Sequence, residues 1–172
     1  GKDEVIRFFG QDPTLAIELI QTSIKRFIEN LKAETAARER IESELRIAQE
    51  IQASMLPTVF PQRDAFELFA LMDPAKEVGG DFYDFFFVDE KRLCFVIGDV
   101  SGKGVPAALF MAISKTLIKN EAMRGLSTDE ILTRVNNIMY PDNSTCQFVT
   151  VFCAILDTDT GDGDPFYPMM AR

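Results

Sequence analysis

A helical pattern that extends from Asp12 to Leu56 is the feature that most constrains how this chain folds. Asp12 and Pro13 suit the N-cap and first-turn positions of a helix, and Pro57 ends the pattern. The segment therefore predicts one long helix, or two helices joined end to end, before any other structure begins.

Apolar residues recur along this helix at heptad spacing, in two neighbouring columns. One column holds Ile17, Ile24, Leu31, Arg38, Leu45 and Gln52, and the other holds Ile20, Phe27, Glu34, Ile41, Ala48 and Met55. Glu34 and Arg38 place charge in the middle of this apolar seam. The pattern favours a homodimer of two parallel helices, and the alternative is a stripe that packs on its own domain.

After Pro57 the pattern becomes that of strands, then two helices, then a further strand. The predicted strands lie at Phe66–Ala75, 81–90, Lys91–Val100 and 145–161, and the predicted helices lie at 105–123 and 127–140. Ser127 or Thr128 with Glu130 gives the second helix a capping box. This order predicts an α+β fold, with a helical linker at 1–58 and a second domain at 59–172.

Composition excludes several classes of protein. Acidic residues outnumber basic ones and give a net charge of -9, so nucleic acid is not expected as a partner. The three cysteines have apolar or β-prone neighbours, which suggests buried, reduced thiols. We find no segment apolar and long enough to span a membrane, and expect a cytoplasmic location.

The chain contains no histidine. This absence removes the usual imidazole base and the usual zinc ligand together, so Ser-His-Asp catalysis is excluded. Residues 98–104 do not match a P-loop either, because Gly104 follows Lys103 where that motif needs Ser or Thr. Any catalysis must therefore depend on carboxylates.

Two short motifs place such carboxylates beside glycines. Asp81 follows Gly79 and Gly80, and Asp99 lies at the end of an apolar strand between Gly98 and Gly102. Glycines at 98 and 102 would let the backbone approach a ligand closely, and Mg²⁺ and Mn²⁺ prefer oxygen ligands. The motifs predict a divalent metal site at Asp81 and Asp99.

Simpler interpretations of these residues remain open. Asp99 with its glycines could form only a strand-to-helix turn and an N-cap. Asp84 suits a turn or a hydrogen bond to a ligand better than direct contact with a metal.

Four stretches together resemble the bacterial RsbU and SpoIIE class of the PPM, or 2C-like, metal-dependent serine/threonine phosphatases. They are "AQEIQASMLP" (48–57), "EVGGDFYDFF" (77–86), "GDVSGKGVPAALFMA" (98–112) and "FVTVFCAILDTDTG" (148–161). The resemblance implies a layered α-β-β-α core, incomplete at its C-terminus. It also implies that Asp81, Asp99 and the Val100 carbonyl bind the metal, with Gly80, Gly102 and Asp84 as possible supporting residues around them.

The same resemblance implies a reaction and its partners. In this family, water activated by a two-metal centre of Mn²⁺ or Mg²⁺ attacks phosphoserine or phosphothreonine in a regulatory protein, commonly an anti-sigma-factor antagonist. A linker helix joins an upstream sensor to the phosphatase core. Residues 1–27 also resemble the end of a Crp-type cyclic-nucleotide-binding domain, which implies that such a sensor precedes this segment.

The chain departs from the family pattern in its later part. The motifs that resemble "DG-x-T-E" and "DD-x-T", which supply further metal-binding aspartates, do not occur. We therefore expect weak activity or none from the chain as given. The alternative function is a non-catalytic module for dimerisation and signal relay, built on a truncated or degenerate phosphatase core.

Overall fold

The computed structural model describes residues 10, 13–63, 66–72, 77–164 and 169–170. The chain divides into two compact units, Gly1–Glu44 and Leu45–Arg172. The domain boundary that the sequence suggests at residue 58 stays a prediction, and the N-cap assigned to Asp12 lies outside the described residues.

Helix α1, Pro13–Met55, is one continuous helix, as the first of the two sequence interpretations predicts. In the first unit its apolar side chains face solvent, and Phe27 retains 63% of its accessible surface. Arg38 forms an ion pair with Glu42 at 2.8 Å along the same helix, and Arg40 pairs with Glu44 at 3.2 Å. These exposed pairs at i,i+4 spacing support the helix only slightly.

Four antiparallel strands form one sheet in the second unit, in the order β1-β2-β3-β4. Strand β1 is Phe82–Phe87, β2 is Arg92–Val100, β3 is Val149–Asp157 and β4 is Met169–Met170. Asp89 holds the turn between β1 and β2, since its carboxylate accepts hydrogen bonds from the backbone amides of Lys91 and Arg92. These bonds and the Arg92 side chain lower the pKa of Asp89 to about 2.

Two helices connect β2 to β3 and pack on the sheet. Helix α2 is Val105–Ala122, α3 is Thr128–Met139, and a 3₁₀ turn follows at Tyr140–Asp142. The predicted capping box is confirmed at Ser127, whose amide and hydroxyl both donate to the Glu130 carboxylate. The helices and strands enclose an apolar core that includes Phe82, Val96, Met111, Ile118, Ile131 and Val149. The α+β prediction is therefore confirmed.

The strand predicted at Phe66–Ala75 is wrong for the part that the structure describes. Phe66 makes one isolated bridge with Arg63, and no strand continues through Met72, while residues 73–75 lie outside the described residues. A strand requires a neighbour that pairs with its backbone, and apolar side chains alone do not supply one. Phe69, which retains 84% of its surface, accordingly projects into solvent.

The cysteine prediction holds for two of the three residues. Cys94 and Cys153 are buried on neighbouring strands as free thiols, with their Sγ atoms 4.0 Å apart. Cys146 is exposed, which corrects the prediction, because it lies in a loop where its φ angle is 52°. Among the described residues, no helix is long and apolar enough to cross a lipid bilayer.

Candidate metal site

The register of the β1-β2 hairpin places Asp81 beside Asp99. Phe82 pairs with Gly98 at the end of the ladder, so the residues one step beyond that pair are Asp81 and Asp99. Their carboxyl groups lie close enough to interact with each other. The two acidic residues that the sequence assigned to one site are thus brought together, although they are far apart along the chain.

The pair carries an electrostatic cost. Partial burial of the Asp81 carboxyl raises its pKa, and the hydrogen bond and the negative charge of Asp99 raise it further. Two negative charges close together disfavour each other. A divalent cation would remove the same repulsion.

Gly80 lies directly against Val100, the residue whose carbonyl the family resemblance assigns to the metal. A Cβ atom added at Gly80 would stand 2.9 Å from the Val100 carbonyl oxygen and 3.3 Å from the Cβ of Ala107. No side chain fits in that space without displacing the strand end. Because Gly80 has no side chain, the end of β2 can pack closely against it, and the Val100 carbonyl keeps its position.

The glycines of the second motif differ in their roles. The space beside Gly98 is filled by the ring of Phe82, so this glycine serves side-chain packing and does not open an approach for a ligand as the sequence suggested. Gly102 and Gly104 have φ angles of 88° and 73°, which favour glycine, and no other described residue comes within 4 Å of the position that a Cβ would take at either. They let the chain turn sharply from β2 into α2.

Polar contacts from β3 fix the backbone on the other side of Asp99. The Thr150 hydroxyl donates to the Asp99 carbonyl at 3.3 Å. Two residue pairs further, the Ser101 amide donates to the Phe148 carbonyl at 2.8 Å, and the Phe148 amide donates to the Ser101 hydroxyl at 3.0 Å. The strand ladder is thus prolonged past Val100 into the loop.

Asp84 does not join the Asp81–Asp99 pair. It is three residues further along the chain, so its side chain points to the opposite face of β1 and is buried at 3% exposure. Its carboxylate binds Lys115 of α2 at 2.6 Å and lies 3.7 Å from Lys119. Asp84 therefore has a structural role, but its buried ion pair with Lys115 is neither the turn nor the hydrogen bond to a ligand that the sequence suggested.

Gln52, near the end of α1, is a residue of this region that the sequence did not single out. Its amide nitrogen donates to the Gly79 carbonyl at 2.7 Å, and its amide oxygen accepts from the Gly79 amide at 3.0 Å. Gln52 is buried at 6% exposure, and Gly79 is two residues before Asp81. The sequence held one clue to this role, since Gln52 is a polar residue in a heptad column that is mostly apolar.

Within the part of the chain that the structure describes, no group of three or more His, Cys, Asp or Glu side chains converges as a metal site. Asp81 and Asp99 supply two carboxylates and, with the Val100 carbonyl, a small set of oxygen donors. Such a set fits a hard divalent cation that completes its shell with water.

Comparisons with known proteins show which proteins this chain resembles. Residues 89–164 match the family model described as stage II sporulation protein E (SpoIIE). The chain is 33% identical over 121 residues to phosphoserine phosphatase RsbU of Bacillus subtilis, and the match covers 70% of this chain and 36% of RsbU. It is 37% identical over 93 residues to protein IcfG of Synechocystis, covering 54% of this chain and 15% of IcfG.

A solved structure supports the fold. The SiaA-PP2C domain of Pseudomonas aeruginosa superimposes with a TM-score of 0.55 at 23% identity, over 72% of this chain and 51% of that one. The chain therefore spans about a third of RsbU and about half of the SiaA structure. Residues 89–164 of this chain are thus similar to the SpoIIE family, and a longer part of the chain is similar to the phosphoserine phosphatase RsbU.

Proposed function

We propose that this chain is part of a metal-dependent protein phosphatase that hydrolyses phosphoserine or phosphothreonine. The observation that carries the proposal is the pairing of Asp81 with Asp99 at the end of the β1-β2 ladder. The name of RsbU, a phosphoserine phosphatase, supports the same substrate class.

The residues that would hold Mn²⁺ or Mg²⁺ are Asp81, Asp99 and, through its carbonyl, Val100. The fit rests on the raised pKa of Asp81, since a site that disfavours two negative charges favours a cation between them. When bound, divalent cations supply charge neutralisation at the phosphoryl group and a nucleophilic water at neutral pH. Gly80 and Thr150 keep the strand ends in place, so that the donors are arranged before substrate arrives.

The proposed substrate is a phosphorylated regulatory protein of the anti-sigma-factor antagonist type, in the cytoplasm. Because the chain has no histidine, no imidazole of this segment protonates the leaving hydroxyl group. Proton transfer would then fall to carboxyl groups or to water.

Control through the helical linker is the second part of the proposal. Gln52 connects the end of α1 to Gly79 by two hydrogen bonds, and the Tyr83 hydroxyl donates to the Pro57 carbonyl at 3.3 Å. Both contacts join the helix end to the segment that carries Asp81. A sensor upstream and a second copy of the chain along α1 would act on the metal site by this route.

A non-catalytic relay module is the second candidate. It is favoured by the small number of ligands, because only two carboxylates meet in the described part of the chain. A phosphatase of this family reaches full activity only with further carboxylates, so the chain as given should release phosphate slowly.

Calorimetric titration with Mn²⁺ tests the proposal. The chain should bind Mn²⁺, and Asp99→Asn should weaken binding by at least about tenfold, since one of two charged ligands is lost. Asp142→Asn, a change at an exposed acid on the 3₁₀ turn, is the matched control and should bind normally. Equal binding by the Asp99→Asn variant would contradict the metal site.

Phosphate release separates the two candidates. A phosphoserine-containing antagonist protein should lose phosphate slowly and only when Mn²⁺ is present. Mn²⁺ binding without any phosphate release would favour the relay module.

A further inference from the structure

We propose that Cys94 and Cys153 form a buried binding site for a soft monovalent metal ion, Cu⁺. Cys94 lies on β2 and Cys153 lies on the neighbouring strand β3, and both residues are 0% exposed. The site is separate from the carboxylates of Asp81 and Asp99. The proposal therefore does not rest on the proposed phosphatase function.

The strand register brings the two thiols together on one face of the sheet. Cys153 lies directly opposite Val96, and Cys94 is two residues before Val96, so these three side chains share the face that the helices cover. Asp99 is five residues beyond Cys94, and its side chain therefore points to the other face. A metal ion at the thiols would not touch the Asp81–Asp99 pair.

The distance between the two sulfur atoms suits a single metal ion. The Sγ atoms of Cys94 and Cys153 are 4.0 Å apart. With metal–sulfur bonds of about 2.3 Å, both sulfurs would reach the same ion at an S–metal–S angle of about 120°. A metal ion can thus be held without moving the strands, whereas a disulfide would require the two sulfurs to approach to about 2.05 Å.

The chemistry of the donors selects the ion. Thiolates are soft ligands, and they prefer Cu⁺ to hard cations such as Mg²⁺ and Mn²⁺. Zn²⁺ also binds thiolates, but its structural sites have four protein ligands. In the described ranges of the chain, no three His, Cys, Asp or Glu side chains converge on one point. Cu⁺ fits better because it forms stable complexes with two thiolates alone.

The charges beside the thiols favour this complex. The Asp84 carboxylate lies 2.6 Å from the ammonium group of Lys115 and 3.7 Å from that of Lys119, so one negative charge faces two positive charges. The Lys119 ammonium also lies 4.7 Å from the ring centroid of Phe86, which is opposite Cys94 in the β1-β2 ladder. Two thiolates with one Cu⁺ carry a single net negative charge. The surplus positive charge of Lys119 offsets it.

Binding requires both thiols to lose their protons. The hydrogen bond with Cys153 and burial raise the pKa of Cys94, so without metal the pair stays protonated at neutral pH. One Cu⁺ then forms two Cu–S bonds and displaces two H⁺, with no change in oxidation state. Because both thiols are fully buried, the ion enters only when the core opens locally, and uptake is slow.

Anaerobic titration with Cu⁺, supplied as its bicinchoninate complex, tests the site. The full chain carries Cys146→Ser, which removes the exposed thiol, and the loss of colour of the complex reports the transfer of Cu⁺ to the protein. We expect one equivalent of Cu⁺ per chain. Uptake should be at least about a hundredfold slower in the folded chain than in the same chain unfolded in urea, because local opening limits access.

Substitutions identify the ligands and the compensating charge. Cys94→Ala and Cys153→Ala should each abolish uptake. Met139→Leu is the matched control, because it removes another buried sulfur, one that contacts the Ser114 hydroxyl at 3.8 Å, and it should bind Cu⁺ normally. Lys119→Met should weaken Cu⁺ binding by at least about tenfold, and Lys119→Arg, which keeps the charge, should restore it.

Several results would overturn the proposal. Absence of Cu⁺ uptake by the Cys146→Ser chain would exclude the site. Unchanged uptake by Cys94→Ala or Cys153→Ala, or an equal loss in Met139→Leu, would show that the thiol pair does not hold the ion. Unchanged binding by Lys119→Met would remove the charge balance on which the choice of ion rests.

A parallel titration with Zn²⁺ tests the assigned ion. Zn²⁺ bound through the same two cysteines as tightly as Cu⁺ would overturn the assignment, and weaker binding of Zn²⁺ supports it. Asp99→Asn should take up Cu⁺ normally. Failure of Mn²⁺ binding or of phosphate release would therefore contradict the proposed function and leave the Cu⁺ site intact.

Discussion

Helices α1 and α2 are both rich in apolar residues, yet they have opposite surroundings. In α2, Met111 and Ile118 are almost fully buried beneath the sheet, whereas Ile24 and Phe27 of α1 keep more than half of their surface. Apolar periodicity makes a helix capable of burial but does not say what buries it. The second unit supplies that cover for α2, and within the first unit the described residues supply none for α1.

The same contrast holds for charge. Arg38 and Glu42 form their ion pair in solvent, with side chains that are 80% and 57% exposed. Lys115 and Asp84 form theirs between α2 and β1, at 9% and 3% exposure. A solvated pair contributes little to stability, whereas a buried charge that loses its partner is strongly destabilising. Substitutions in exposed α1 and in the packed second unit can test this comparison.

Lys115→Met should have the largest effect. It leaves the buried Asp84 carboxylate without its 2.6 Å partner and should lower the free energy of unfolding by about 3–5 kcal/mol, measured by urea denaturation. Lys119→Met is the control, because Lys119 is 3.7 Å away and half-exposed, and it should cost less than about 1 kcal/mol. If the two variants lost similar free energies of unfolding, the burial of the Lys115–Asp84 pair would contribute nothing beyond what an exposed pair contributes.

Phe27→Ser should have an intermediate effect, and on self-association alone. Removing this exposed ring from the seam should weaken dimer formation by about tenfold to a hundredfold, as seen by sedimentation equilibrium. The melting of the second unit should not change. Glu29→Ser, on the outer side of the same helix turn, should leave association intact, and monomers in every variant including the parent would refute a dimer through α1.

Asp81→Asn should have the smallest effect on stability, and its sign depends on pH. A carboxyl whose pKa is raised on folding loses stabilising free energy as pH rises through that pKa. Without metal, the Asn variant should therefore melt about 1–2 °C above the parent at neutral pH, because solvent screens this exposed pair, and the gap should shrink as the solution is acidified below the ordinary Asp range. An advantage that grows in acid would contradict the repulsion between Asp81 and Asp99.

The sequence predicted the parts of the fold that depend on local pattern. The end of α1 before Pro57 and the capping box at Ser127 follow from residues next to one another, and both are observed. The proximity of Asp81 and Asp99 followed from two motifs of glycine and acid at strand ends. Each of these signals lies within a few residues of the element it defines.

What the sequence could not give depends on distant partners. Asp84 meets Lys115, which is 31 residues away, and nothing near either residue predicts the pair. Gln52 binds backbone groups of Gly79, which carry no side-chain signal at all. The stretch from Phe66 has the composition of a strand, but pairing depends on whether another strand end is available.

The contact between Phe82 and Gly98 has a consequence for how the hairpin forms. The aromatic ring of Phe82 fills the space that a side chain at residue 98 would need. The residues on either side of Gly98, Ile97 and Asp99, both carry side chains. In a hairpin misaligned by one residue the ring would clash with one of those bulkier neighbours. The shifted register would therefore be less stable than the observed one. The packing of Phe82 against Gly98 thus fixes the alignment of Asp81 with Asp99.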